Sequence, residues 1–118
     1  MEEIIIDGVT YTLTPKEEKK SLIVKEEYNF ELYPEKSTNK MTWEEAVMYC
    51  KKLGDGWRLP TIEECFMIYN NKLITEYYYW SSMEYDHSLA WFFSFSSGSA
   101  YDYGKYNTYY VRAVRTIK

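Results

Sequence analysis

Few residues in this chain could do covalent chemistry. Its single histidine, His87, stands among Ser81, Ser82, Glu84, Asp86 and Ser88. Hydrolysis by a serine–histidine–acid set needs one hydroxyl within reach of the imidazole and a carboxylate orienting the ring from behind. Nearness along the chain is not that geometry, and no nucleophile-elbow spacing supports it, so no enzyme activity is expected. One histidine also excludes a histidine-cluster metal site. The two cysteines, Cys50 and Cys65, fall on the apolar faces of segments with helical spacing. Buried free thiols are the expectation there, rather than a bridge or a metal ligand. No cofactor is expected.

Residues suited to non-covalent contact are far more numerous. Aromatics make up 19% of the chain, with 14 tyrosines and 4 tryptophans. That much ring surface cannot all be interior in 118 residues, so some tyrosines should lie outside. Between Trp80 and Tyr110 the candidates for a contact surface are Tyr85, Asp86, His87, Ser97, Ser99, Tyr101, Tyr103, Tyr106 and Asn107. Tyrosine offers a large contact area with only two side-chain torsions to freeze, and serine, glycine and asparagine add adaptable hydrogen bonding. The competing reading is a tyrosine-rich loop that packs on its own domain.

Charge narrows the partners. A net charge of -4 argues against binding a phosphate backbone. On a terminal strand Arg112 and Arg115 would point to opposite faces, so they make no basic stripe, and nucleic acid is not an expected partner. No apolar run approaches the roughly 20 residues that span a bilayer. The opening Met1-Glu2-Glu3-Ile4 is acidic where an export signal would be basic, so a membrane partner is not expected. A virion or cytoplasmic location follows, since assembly into a particle leaves no targeting segment.

The elements that must position these residues are those of one domain, large enough to bury a core without staples. Residues 4 to 13 read as a β-hairpin about Asp7-Gly8, with Ile6 facing Val9 and Ile4 facing Tyr11. A charged turn follows over 15 to 20. Leu22 to Val24 and Tyr28 to Leu32 read as strands, closed by Pro34, with a loop over 35 to 40. Thr42 and Glu45 have capping-box spacing, and Trp43, Ala46, Val47, Cys50 and Leu53 share one helical face up to Gly54. Thr61 and Glu64 repeat the device for a second helix, with Ile62, Cys65, Phe66 and Tyr69 as its buried stripe. Arg58 is expected to pair with a nearby carboxylate or carbonyl as scaffold.

Strands then resume. Tyr77 to Ser82 is one, and Leu89 to Phe95 is another. In the second, Leu89, Trp91, Phe93 and Phe95 face one way while Ala90, Phe92 and Ser94 face the other. Residues 96 to 108 read as a polar loop dotted with tyrosine, and Tyr109 to Ile117 as the final strand.

Five landmarks recur in order: Thr42-Trp43 to Ala46, Trp57-Arg58-Leu59-Pro60-Thr61 to Glu64, Tyr79-Trp80-Ser81-Ser82, the aromatic strand from Ala90 to Gly98, and Val111-Arg112-Ala113-Val114-Arg115. This order resembles the C-type lectin-like fold, and more closely the domain family at the C-terminus of collagen-like bacterial proteins. The resemblance covers residues 41 to 116 and leaves 1 to 40 as an N-terminal hairpin and strands. The opening Ile6-Asp7-Gly8-Val9 followed by Tyr11 looks like phage-encoded relatives. The resemblance implies an α+β domain with two short helices packed on a twisted, mainly antiparallel sheet.

Related domains include formylglycine-generating enzymes, which carry reactive cysteines near the chain's end. Here both cysteines precede residue 66. Calcium-dependent sugar binding in such folds resembles Glu-Pro-Asn and Trp-Asn-Asp patterns, and neither is present. Asp86 and Asp102 alone would not make a cage of roughly six oxygens. Other relatives are the variable proteins of diversity-generating retroelements, which display hypervariable residues on a rigid frame. The resemblance thus implies a calcium-independent surface presented to a protein or glycan on a cell surface, with homo-oligomerisation adding avidity. The alternative is a structural virion or assembly module whose aromatic surface joins its own copies.

Overall fold

The computed structural model describes the backbone of residues 2–6, 9–13 and 22–25, and backbone and side chains over 29–117. Among the described residues ten elements follow one another: β1 (Glu2–Ile6), β2 (Val9–Leu13), β3 (Leu22–Lys25), β4 (Phe30–Leu32), α1 (Trp43–Leu53), α2 (Ile62–Asn70), β5 (Tyr78–Glu84), β6 (Leu89–Ser94), β7 (Ser99–Gly104) and β8 (Val114–Thr116). The architecture is α+β, with three small antiparallel sheets ordered β1-β2, β3-β4-β8 and β5-β6-β7. In the first, Ile6 pairs with Val9 and Ile4 with Tyr11, the register expected from the two-residue turn and the alternation. The expected turn at Asp7-Gly8 and the charged turn at 15–20 lie outside the described residues.

Both helices begin where the spacing places them. Thr42 accepts from the Glu45 backbone N–H at 3.3 Å, and the Glu45 carboxylate accepts from the Thr42 N–H at 3.0 Å. Thr61 and Glu64 repeat the exchange at 3.0 and 2.9 Å. Each pair satisfies two backbone donors that a helix start leaves without partners. Ala46 and Cys50 are buried on α1. On α2 the buried residues are Cys65 and Ile68, while Phe66 is exposed at its edge and touches Phe93 ring-to-ring at 4.9 Å. The stripe therefore runs through Cys65 and Ile68 rather than Phe66.

The two cores explain the alternation of β6. Phe93 and Phe95 join Cys65, Ile68, Tyr79, Phe30, Leu32 and Val114 in one cluster. Ala90 and Phe92 join Ala46, Cys50, Leu59, Trp80, Val111 and Ala113 in the other. With a helix over each side, both faces of β6 are buried, which is why the strand reads as almost wholly apolar. Residues 30–32 are part of this core and pair with β8, Leu32 opposite Val114. The core thus extends upstream of Met41, where the recurring motifs begin.

Two expectations need correction. Residues 96–108 are not a loop throughout, because Ser99–Gly104 forms β7 and pairs with all of β6. Nor is 109–117 one regular strand. Residues 109–113 run extended, stitched by isolated pairings of Tyr109 with Met41 and Tyr110 with Tyr79, and only Val114–Thr116 joins a ladder.

The recurring motifs are where these segments exchange hydrogen bonds. The Trp43 indole donates to the Ser81 carbonyl at 2.9 Å, and the Trp80 indole donates to the Met41 carbonyl at 2.8 Å. The Ser82 N–H reaches the Pro60 carbonyl at 2.7 Å, and Arg58 pairs with Val114 through both backbone groups at 2.9 and 2.8 Å. The Arg58 guanidinium clamps both Glu64 carboxylate oxygens at 2.8 and 2.9 Å and reaches the Thr116 hydroxyl at 2.8 Å. It is scaffold, as expected. A buried indole or amide left without its acceptor costs about 1–3 kcal/mol, so these positions tolerate little change.

Candidate binding surface

Antiparallel pairing sorts the candidate residues by face. Phe92 lies opposite Trp80 and Tyr101, Ala90 opposite Tyr103, and Ser94 opposite Tyr78 and Ser99. Opposed residues share a face, so Tyr78, Phe92, Ser99, Tyr101 and Tyr103 belong to one side of the sheet. Helix α1 packs over this side at β5, leaving the edge strand β7 uncovered. Tyr101 and Tyr103 are therefore 48% and 53% exposed, although they sit on a paired strand.

Beneath them the rings form a continuous layer. Phe92 is stacked with Tyr109 at 4.3 Å between centroids and an angle of 25°. Tyr101 lies 5.6 Å from Phe92, and Tyr78 lies 5.3 Å from Phe92 and 5.8 Å from Tyr109. Burial is the main cause that raises the Tyr109 hydroxyl above the ordinary phenol range, with Tyr103 and Tyr78 adding to it. The Tyr109 hydroxyl therefore stays a neutral donor and acceptor at physiological pH.

The remaining candidates divide between the two ends of the sheet. Tyr85, Asp86 and His87 occupy the β5–β6 turn, the end where β7 finishes and Tyr106 and Asn107 follow. Ser97 and Ser99 lie at the β6–β7 turn, a strand length of about 17 Å away. Tyr85 and Tyr106 are 62% and 80% exposed, and His87 is also exposed. The sequence candidates therefore make one surface with two ends rather than a single focus.

Some of them are framework. The Asp86 carboxylate accepts from the Ser88 and Leu89 N–H groups at 2.8 and 2.9 Å and from the Ser88 hydroxyl at 3.2 Å. These bonds, the Ser88 N–H first, hold its pKa below the usual range. Asn107 donates through its backbone and side chain to the Gly104 carbonyl at 3.0 and 3.2 Å. Both residues shape turns. The Ser81 hydroxyl is buried and donates to the Trp91 carbonyl at 2.8 Å.

Lys105, absent from the sequence candidates, ties this end together. Its ammonium donates to Glu84 at 2.6 Å and to the His87 carbonyl at 3.1 Å, and lies 4.7 Å from the centre of the Trp43 ring. Tyr78 and Tyr109 were missed as well. The pairing of Tyr78 two residues before Trp80 was the available signal, hidden by reading 96–108 as loop.

Arg112 and Arg115 are engaged internally, away from each other. Arg112 donates to the Tyr33 and Pro34 carbonyls at 2.6 and 3.1 Å, whereas Arg115 meets Glu31 at 2.6 Å and lies over the Trp57 ring. Cys50 and Cys65 are buried and free. Among the described residues no helix is long and apolar enough to cross a membrane.

The family model of the Lcl C-terminal domain matches residues 14–115. The chain belongs to the Lcl C-terminal domain family. No curated protein matches it. The Lcl C-terminal domain match begins upstream of Met41, in accord with the placement of β4 in the core beside β8. All five motifs, and the hydrogen bonds exchanged between them, lie within the matched residues.

Proposed function

We propose that this domain is a non-enzymatic display module. It presents the tyrosine face of β7 and the adjoining turns to a protein or glycan on a cell surface. The observation that carries this reading is the outward placement of Tyr101 and Tyr103, half exposed on an edge strand although Ala90 and Phe92, their partners on β6, are buried. A rigid sheet holds the rings in advance of binding, so little ordering cost remains to be met on contact. Exposed rings over a stacked aromatic layer keep a large apolar contact area without loosening the core.

A phage or prophage particle is the setting that suits such a module, where many copies sum weak contacts through avidity. The domain, multimerised on a fluorescent carrier, is screened against a collection of bacterial strains. Saturable retention by a subset of strains supports display. Self-association of the isolated domain in sedimentation, with no strain retaining it, favours an assembly module instead. A near-copy of the codons for residues 80 to 115 in the source genome, differing at adenines, would add diversification of the surface.

A further inference from the structure

Of the two outer edges of the β5-β6-β7 sheet, the one at β5 is covered. There the Tyr110 N–H donates to the Tyr78 carbonyl and the Tyr110 carbonyl accepts from the Trp80 N–H, both at 3.1 Å. At β7 the register decides which backbone groups look outward. The Lys105 N–H donates to the Ser88 carbonyl at 2.9 Å, one step beyond the pairing of Leu89 with Gly104. Opposed residues of an antiparallel ladder alternate between bonded and non-bonded pairs. Tyr101 and Tyr103 therefore bond to β6, and the N–H and carbonyl groups of Ala100 and Asp102 point away from it. Among the described residues no backbone group pairs with them. The Gly104 carbonyl, next in the series, is taken by Asn107, which ends the open stretch. The Asp102 carboxylate is exposed and, among the described residues, meets no cation or hydrogen-bond donor.

We propose that the open edge of β7 takes up an extended segment of a protein partner as a further strand, with a lysine or arginine of that segment opposite Asp102. The inference rests on the display reading and names the class of partner for the same face. A strand added to a sheet edge gains main-chain hydrogen bonds, and its alternate side chains read the surfaces on either side. Opposed residues share a face, so the residue paired with Asp102 lies beside the carboxylate, where an opposite charge stabilises the pairing. The residues before and after it turn to the other face. Tyr101 and Tyr103 stand half exposed there, and apolar side chains suit their rings. The segment recognised thus reads apolar, basic, apolar. A second copy of this chain fits less well. In the two-fold registers that use both Ala100 and Asp102, the two Asp102 carboxylates fall directly opposite or diagonally across one face, with no cation between them. A charge on an edge strand keeps like edges apart in this way, and a net charge of -4 on each copy adds to the repulsion.

The test selects a displayed library of random heptapeptides against the full chain. Enriched sequences should place lysine or arginine between apolar residues. One of them, synthesised, should slow hydrogen exchange at the Ala100 and Asp102 amides, which exchange quickly in the free domain while those of Tyr101 and Tyr103 do not. Asp102→Lys should weaken that peptide at least tenfold, and replacing the peptide's basic residue by glutamate should restore binding. Ala100→Pro, which removes an outward N–H, should abolish it. The charge exchange is the readout that does not depend on how well the proline variant folds. No enrichment, or binding indifferent to both substitutions, overturns strand addition. A dimer of the free chain in sedimentation that Ala100→Pro abolishes also overturns it, since the edge then takes its own copy. Retention on cells separates this failure from that of display itself. Retention lost in Tyr101→Ser, Tyr103→Ser but kept in Asp102→Lys and Ala100→Pro overturns strand addition and leaves display standing. Retention unaffected by any of these variants overturns both readings.

Discussion

Tyr109 lies stacked on Phe92, with ring centroids 4.3 Å apart and planes 25° from parallel. One ring comes from the extended segment before β8 and the other from the middle strand of the β5-β6-β7 sheet, so the contact joins the chain's last segment to that sheet. Trp80, fully buried, closes on Tyr109 from the side at 4.9 Å. Tyr109→Ala should therefore destabilise the domain by about 2 kcal/mol, whereas Tyr101→Ala should cost less than about 1 kcal/mol. Chemical denaturation of the two variants compares them directly.

The second capping box carries a pH signature. Burial alone would raise the Glu64 carboxyl, but the Arg58 clamp and the Thr61 N–H outweigh it and hold the pKa below the usual range. A depressed folded-state pKa gives stability that is present above the unfolded value, about 4.3, and lost as pH falls through the folded one. The melting temperature should fall between about pH 5 and pH 3. Glu64→Gln should be less stable at pH 7 by about 1–2 kcal/mol and should flatten that acid limb.

Gly98 tests the packing of the β6–β7 turn. Its φ is +74°, and a Cβ added there would meet the Tyr69 ring at 2.5 Å. Gly98→Ala combines an unfavourable backbone conformation with a clash against the half-buried Tyr69 ring, which packs against the core beside Phe93. The expected loss is about 2 kcal/mol, read as a drop of several degrees in melting temperature.

The thiols should be silent in the native state. Burial pushes the Cys50 thiol up to about 12 and raises that of Cys65 further, the nearby Glu64 charge adding to the latter. Thiolate is the reactive form, so alkylation by iodoacetamide at pH 8 should be negligible until denaturant is added, when both cysteines should react. Reducing agent should leave the melting temperature unchanged.

Much of the frame was legible because local signals agreed with one another. The Thr42–Glu45 and Thr61–Glu64 spacings located both helix starts, since a capping box needs only four consecutive residues. The Ile4–Tyr11 register followed from the two-residue turn expected at Asp7-Gly8, with which the apolar alternation agrees. Strand β7 was hidden because its outward side is tyrosine and its composition is that of a loop. Its period-two pattern, Ala100 and Asp102 against Tyr101 and Tyr103, has meaning only once β6 lies beside it. Residues 109–113 misled in the opposite sense. They are mostly apolar and extended, but their partners, Met41, Ser37 and Tyr33, lie far back along the chain and offer isolated pairings rather than a ladder. Cation placements such as Lys105 over Trp43 are tertiary and leave no local trace.

The candidate surface was legible in kind but not in shape. Tyrosine content pointed to exposed rings, and Tyr85, Tyr101, Tyr103 and Tyr106 are exposed. Asp86 and Asn107 carry the same composition signal, yet their polar atoms are committed to turns. Composition cannot separate a turn-forming asparagine from a contact residue, because both roles call for a short polar side chain.

Retention on cells is the most direct test of the display surface. Wild-type domain and the Tyr101→Ser, Tyr103→Ser variant, multimerised equally, are compared on strains that retain the wild type. Retention should fall at least tenfold while the melting temperature stays within about 2 °C, as expected for half-exposed rings on an intact frame. Unchanged retention, or a collapse in melting temperature, would contradict the account.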